Sequence, residues 1–286
     1  MSGFGNQVKT LIFMSVLTAL VVLAGSALGG KSGMIMAFGF ALLMNGASYW
    51  YSDKVVIKMT RSYPVGQNEN PQLYDIVSNL ARAAEIPMPK LYITPSGQPN
   101  AFATGRNPSH AAVAVTEGLL NNLDRDELEG VIAHELAHVK NRDILIGTLA
   151  AVMAGVISMM ANWAQWALMF GGLGGSDDDE GFNGLAALPV IILAPLAAML
   201  IQMAISRSRE FLADSTGAQI AGSSRGLAHA LLKLEQGARM RPMDVPAAAS
   251  HMFIVNPLSA KRLVNLFSTH PPIAERVRRL SNLNVR

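Results

Sequence analysis

Cysteine is absent from the 286 residues, and charge is scarce. Without a thiol, disulfide scaffolds, cysteine-type zinc ribbons, iron–sulfur clusters and a cysteine nucleophile are all excluded. Only 15% of the chain is charged while 50% is hydrophobic; an average soluble domain is about 25% charged. Mean hydropathy is +0.29. This balance excludes intrinsic disorder and argues against a wholly soluble protein. Lys and Arg number 23 against 20 Asp and Glu, too small an excess to point to nucleic acid as a partner. Long apolar runs, by contrast, are plentiful. Leu11–Gly30, Ser32–Ser52, Ile144–Ser176 and Gly181–Ser206 contain no Asp, Glu, Lys or Arg.

Each of these runs reaches the roughly 20 residues that a helix needs to cross a bilayer. The first two are separated only by Gly29–Gly33, which predicts a tight N-terminal transmembrane hairpin over residues 1–52. A second span following at once argues against a cleaved signal peptide. The third and fourth runs, within 144–206, contain Asn162, Gln165 and Gln202. They read as a second hydrophobic hairpin that either crosses the bilayer or is partly buried in protein. Lys9, Lys54, Lys58, Arg61, Lys140, Arg142, Arg207 and Arg209 flank the spans at ends that would share one side. The excess of basic residues on cytoplasmic ends then places both termini inside the cell. The polar blocks 53–143 and 207–286 would share that side and fold together. The acidic patch Asp177–Glu180 reads as a solvated loop.

Within the first block, Asn70-Pro71 opens a helical pattern that ends before Pro87. Lys90–Pro95, Asn100–Gly105 and Ala111–Val115 read as strands, most simply of a small antiparallel sheet. Asp124 and Glu127 have capping-box spacing, and the helix they open carries His134-Glu135-Leu136-Ala137-His138. Positions i and i+4 share a helix face, so both imidazoles can reach one ion. Glu135 is offset around the helix and can reach a water rather than the ion. This is the logic of H-E-x-x-H metalloproteases. Catalytic zinc uses three protein ligands and an open position. A third His in the pattern H-x-x-G-x-x-H is excluded, because Asn141 stands where Gly is required. Glu210 and Asp214, again i and i+4, follow the last apolar run. By spacing alone they are either a zinc ligand and a carboxylate for a ligand His, or the acids of an exposed helix pairing with Arg207 and Arg209.

These features together resemble the HtpX family of bacterial membrane zinc metalloproteases, which is related to the CAAX-prenyl proteases. The matching residues are Asn100–Gly105, His134–Asp143, Ser206–Gly217 and His270-Pro271-Pro272, in a chain with the same order of spans. The resemblance implies His134, His138 and Glu210 as ligands of one Zn2+, Glu135 as catalytic base and Asp214 behind a ligand His. It also brings His270 and Arg276 to the active site, where either would steady the oxyanion of a tetrahedral intermediate; the plain alternative there is a proline-started helix end. Asn100, Ala101, Phe102 and Ala103 resemble an edge strand above the zinc, to which substrate adds as another strand.

The expected fold class is a mainly α membrane protein with four hydrophobic helices and a cytoplasmic zincin-like α+β metalloprotease domain. The expected function is a zinc endopeptidase of the cytoplasmic membrane that cleaves cytoplasmic regions of damaged or misfolded membrane proteins. Its expected partners are those substrates, the lipid bilayer and other membrane quality-control proteases, with no nucleic acid. Two alternatives stand beside it, a non-catalytic zinc-binding membrane scaffold and an intramembrane metalloprotease. His110, His229 and His251 read as structural or surface residues.

Overall fold

The structure is a computed structural model and describes residues 3–149, 207–241, 243, 245, 247–257 and 271–285. The fourth apolar run, most of the third, the Asp177–Glu180 patch and His270 lie outside these residues.

The first element, α1 (Gly3–Met59), is a helical hairpin. It breaks at Gly29 (φ −141°, ψ 22°) and Gly30 (φ 55°, ψ −139°). The angles at Gly30 are ones that side-chain-bearing residues rarely adopt, so glycine is the residue that lets the chain reverse. Asn45 Nδ2 donates to Thr18 Oγ1 at 2.7 Å, tying the two arms together. The second arm runs past residue 52 to Met59, because Asp53, Lys54 and Lys58 extend a helix without breaking it. Counted over the described residues, no helix is long and apolar enough to cross a membrane; several side chains in each arm of α1 fall outside them.

After a two-residue strand β1 (Tyr63–Pro64), helix α2 (Pro71–Ala83) starts where Asn70 Oδ1 accepts from the Leu73 N–H at 3.0 Å. Its inner face buries Leu73, Ile76, Val77 and Leu80. Strands β2 (Lys90–Thr94), β3 (Ala101–Gly105) and β4 (Ala111–Thr116) complete a four-stranded sheet of order β1-β2-β4-β3. The sheet is mixed, which corrects the expectation of an antiparallel one: β4 pairs antiparallel with β3 but parallel with β2. Both β3 and β4 are buried along their whole length, so burial does not choose between them and the connection does. The short return from Gly105 makes β3 and β4 antiparallel neighbours, so β4 inserts beside β2 in the same direction.

A short helix α3 (Glu117–Asn122), not foreseen from sequence, leads into α4 (Arg125–Asn141). The capping box is formed: Asp124 Oδ1 accepts from the Glu127 N–H at 2.9 Å, and Glu127 Oε2 accepts from the Asp124 N–H at 3.0 Å. Helix α4 is the axle of the domain. It packs on β3, β4 and α2, on α5 (Arg207–Ala221) and on α6 (Arg225–Met240). Residues 130 to 137 are buried without interruption, as expected of a helix enclosed on every side. The last helix, α7 (Ile273–Ser281), packs on α5 and α6. One core therefore joins the polar blocks before and after the apolar runs, with Leu73, Val113, Ile132, Leu136, Leu231 and Leu280 in a single cluster.

Candidate metal centre

His134 and His138 point the same way from α4. Their rings lie edge to face with centroids 4.7 Å apart, and their Nε2 atoms are 3.2 Å apart. Helix α5 crosses them at very close range. A Cβ on Gly217 would lie 2.9 Å from both the Cα and the N of His134, so only hydrogen fits there. Seven residues before Gly217, about two helical turns, Glu210 falls on the same face of α5. Its Oε2 is 3.8 Å from His134 Nε2 and its Oε1 is 3.6 Å from His138 Nε2. The ligand atoms of His134, His138 and Glu210 all lie within 4.8 Å of one another. Ligand bonds of about 2.0–2.1 Å at tetrahedral angles place donors about 3.3 Å apart, so the three atoms need only small shifts to share one ion.

The far nitrogen of each imidazole faces a carboxylate. His134 Nδ1 lies 3.0 Å from Asp214 Oδ1, and His138 Nδ1 lies 3.1 and 3.2 Å from the two oxygens of Asp143. A carboxylate at Nδ1 favours a proton there, which leaves Nε2 of each neutral ring to turn its lone pair to the common centre. Arg276, on α7, grips Asp214 from behind. Its Nε donates to Oδ2 at 2.9 Å and its Nη2 to Oδ1 at 2.7 Å, while Nη1 donates to the Ile254 carbonyl at 3.2 Å. Arg276 is wholly buried. Glu135, buried beside the histidines, accepts a hydrogen bond from the Ala103 backbone on β3. The group opens onto a cleft lined by Ala103, Glu135, Arg209, His251 and Met252, among others.

Residues 67–284 match the family model described as peptidase family M48. The chain belongs to peptidase family M48. A protein named Protease HtpX homolog from Pelotomaculum thermopropionicum is 60% identical over 282 residues, covering 98% of this chain and 100% of the relative. Proteins of the same name from Thermococcus sibiricus and Pyrococcus furiosus are 55% and 53% identical, each over 98% of this chain and 97% of the relative. Among solved structures, the crystal structure of S. mikatae Ste24p is similar in fold, with a TM-score of 0.51 at 19% identity. That likeness covers 97% of this chain and 65% of the other. The chain is thus a metalloprotease of the M48 family.

The M48 family implies a metal, and the electrostatics of the centre suit one. Glu135, Asp143, Glu210 and Asp214 contribute four negative charges when ionised. Arg276 and Arg209, the latter within the field of Asp143 and Glu210, contribute two positive ones. With neutral imidazoles the balance is two negative charges, which one divalent cation offsets. Burial, with Arg276 and His138 nearby, pushes His134 below its ordinary pKa and keeps it a neutral donor despite Asp214. Burial also works against charge on His138, yet Asp143, Glu210 and Glu135 prevail and lift it to about 10. The same acidic surroundings favour any positive charge placed between the rings. Burial raises Glu135 to about 7, helped by Glu210 and opposed by His138, Arg276 and the Ala103 N–H. Burial would raise Asp214 too, but Arg276 and His134 hold it down at about 2.

Other residues singled out in the sequence are placed differently from expectation. Arg276 does not face the cleft as an oxyanion donor. Its guanidinium holds Asp214 and the Ile254 carbonyl, with Nη1 3.6 Å from Glu210 Oε2 and Nη2 3.4 Å from the His134 ring, so it reaches the centre from behind His134. His270 lies outside the described residues. β3 is indeed at the sheet edge, but the Asn100 side chain is buried and donates to the Val255 carbonyl at 2.8 Å. Ala101 O already accepts from the Ile254 N–H at 3.1 Å, and Phe102 packs edge to face on Phe253. Asn100, Ala101 and Phe102 therefore hold the 253–257 segment, and Ala103 alone of the four lines the cleft. Asp143 and Arg209 were missed as residues of the centre, whereas His251 lines the cleft with its Nε2 bonded to the Gly147 carbonyl at 3.0 Å, as a structural histidine does. Asp143 comes five residues after His138, outside any helical repeat, and only the left-handed turn at Arg142 brings it back.

Proposed function

We propose that this M48 metalloprotease is a zinc endopeptidase held in the cytoplasmic membrane, with His134, His138 and Glu210 as ligands and Glu135 as general base. The observation that carries the reading is the convergence of those three donors on one point, with a buried carboxylate next to them in the same cleft. A structural zinc site would take four protein ligands; among the described residues the converging group has three.

A zinc ion in this position would acidify water and polarise a peptide carbonyl. Glu135 then takes the proton from the attacking water and hands it to the departing amine, a role that suits a carboxyl titrating near neutrality. Asp214 and Asp143 hold the imidazoles, and Arg276 keeps Asp214 ionised. Ala103 orients the Glu135 carboxylate through its N–H and stands where substrate backbone would pass.

Membrane attachment is supported by α1. Leu11, Leu23, Ile35, Met36 and Leu43 are each at least 60% exposed on it, an apolar surface of the kind that soluble monomers rarely carry. Lipid would cover these residues, with 144–206 as a second anchor. The centre would then sit at the cytoplasmic face and meet cytoplasmic loops or unfolded tails of damaged membrane proteins, beside other quality-control proteases.

The test is cleavage of a casein-type substrate in detergent, with metal analysis. Glu135→Gln should retain about one zinc per chain and lose about 10²–10⁴-fold in rate. His134→Ala should lose zinc and cleavage together. Parental activity in Glu135→Gln would defeat the assignment.

A further inference from the structure

We propose that Asp143 is a positioning residue of the metal centre: its carboxylate fixes the His138 ring so that Nε2 presents its lone pair to the ion. The inference rests on the reading of His138 as a ligand.

Asp143 lies at a junction with two possible uses. Helix α4 ends at Arg142, which adopts the left-handed conformation (φ 57°, ψ 38°) and donates its N–H toward Val139 O at 3.1 Å. The Asp143 N–H reaches back to His138 O at 3.3 Å, and its own carbonyl accepts from the Gly147 N–H at 3.5 Å. Residues 144–149 are helical, so Asp143 occupies the cap position of a new helix. Aspartate is common at such positions because its side chain accepts from the exposed N–H groups of the first turn. Capping alone would thus account for the residue type. The geometry says more. Both carboxylate oxygens lie 3.1 and 3.2 Å from His138 Nδ1, and Asp143 is buried with its side chain only 3% exposed.

Arginine seldom adopts a left-handed backbone, and it is this turn that swings the carboxylate back under the ring. The arrangement mirrors the one at His134, where Asp214 is held by Arg276. At His138 the holder is instead placed by the main chain. A carboxylate on the far nitrogen fixes the tautomer and raises the basicity of the near one, and losing such a partner weakens metal binding about 10- to 100-fold. Because Asp143 also opens the helix that leads into the third apolar run, one residue connects a ligand to the part of the chain expected at the membrane.

The experiment uses the full chain in detergent and measures zinc affinity by competition with a chromophoric chelator. The visible spectrum of the cobalt-substituted protein and thermal melting are recorded alongside. Asp143→Ser keeps a good cap but is too short to reach His138. It should bind zinc about 10- to 100-fold more weakly and alter the cobalt spectrum, and the metal-free protein, having lost the buried Asp143–His138 pair, should melt lower. Asp143→Asn keeps shape, cap and an acceptor oxygen, and should fall between the two; it carries the test if the serine variant does not fold. Wild-type affinity in Asp143→Ser, or in Asp143→Asn should that one decide, overturns the inference and reduces Asp143 to a cap. His138→Ala separates the two levels. If it loses zinc while the Asp143 variants do not, only this inference fails. If it binds zinc like the wild type, the ligand assignment fails and the inference falls with it.

Discussion

Arg276 holds a full positive charge out of contact with solvent. Such a charge is tolerable only when opposite charge and hydrogen-bond acceptors surround it, and here Asp214, Glu210 and the Ile254 carbonyl do so. Removing it would leave Asp214 buried without its cation. Breaking a buried pair on one side costs about 3–5 kcal/mol. Arg276→Met should therefore lower thermal stability sharply, measured by melting in detergent, whereas an oxyanion donor would have lost activity with stability intact. Activity in the folded fraction should fall as well, because Asp214 no longer steadies His134. The types and spacing of His134, Glu135 and His138 were legible in the sequence because a single helix presents them. Arg276 entered the site only through the family resemblance, since standing six residues after His270 says nothing about which way a side chain faces. Asp143 was illegible, because a left-handed Arg142 leaves no mark in residue type.

At the level of elements, the centre depends on how closely α5 approaches α4. Gly217 permits that approach, and its nearest neighbours are main-chain atoms of His134 and Ala133, which cannot swing aside as a side chain could. Gly217→Ala should force the helices apart and cost about 1–3 kcal/mol, the usual range for overpacking. Glu210 rides on the same helix, so the variant should also bind zinc more weakly. Melting and metal titration on the one preparation check both. Helices α2 and α4 were readable from cap residues and apolar spacing. The sheet was readable as strands but not as topology. Strands β3 and β4 are both buried throughout, so apolar content alone does not tell which of them pairs with β2.

For the whole molecule, the three proposed ligands come from helices on opposite sides of the 150–206 stretch. An ion bound by both would favour the folded state by RT ln(1 + [L]/Kd), about 4 kcal/mol when free zinc is 1,000 times Kd. Chelation should then lower the melting temperature by on the order of 10 °C, reversibly on adding zinc back. His134→Ala should show no such response, and an equal shift in that variant would mean that the stabilising metal sits elsewhere.

The interlocking of the two polar blocks around α4 also bears on wear. Since α4 buries itself against α2 and the sheet on one flank and against α5 and α6 on the other, severing the polypeptide between Leu149 and Arg207 would not pull the halves of the centre apart. A nicked copy would run as two bands on a denaturing gel yet elute as one particle and go on cutting peptides.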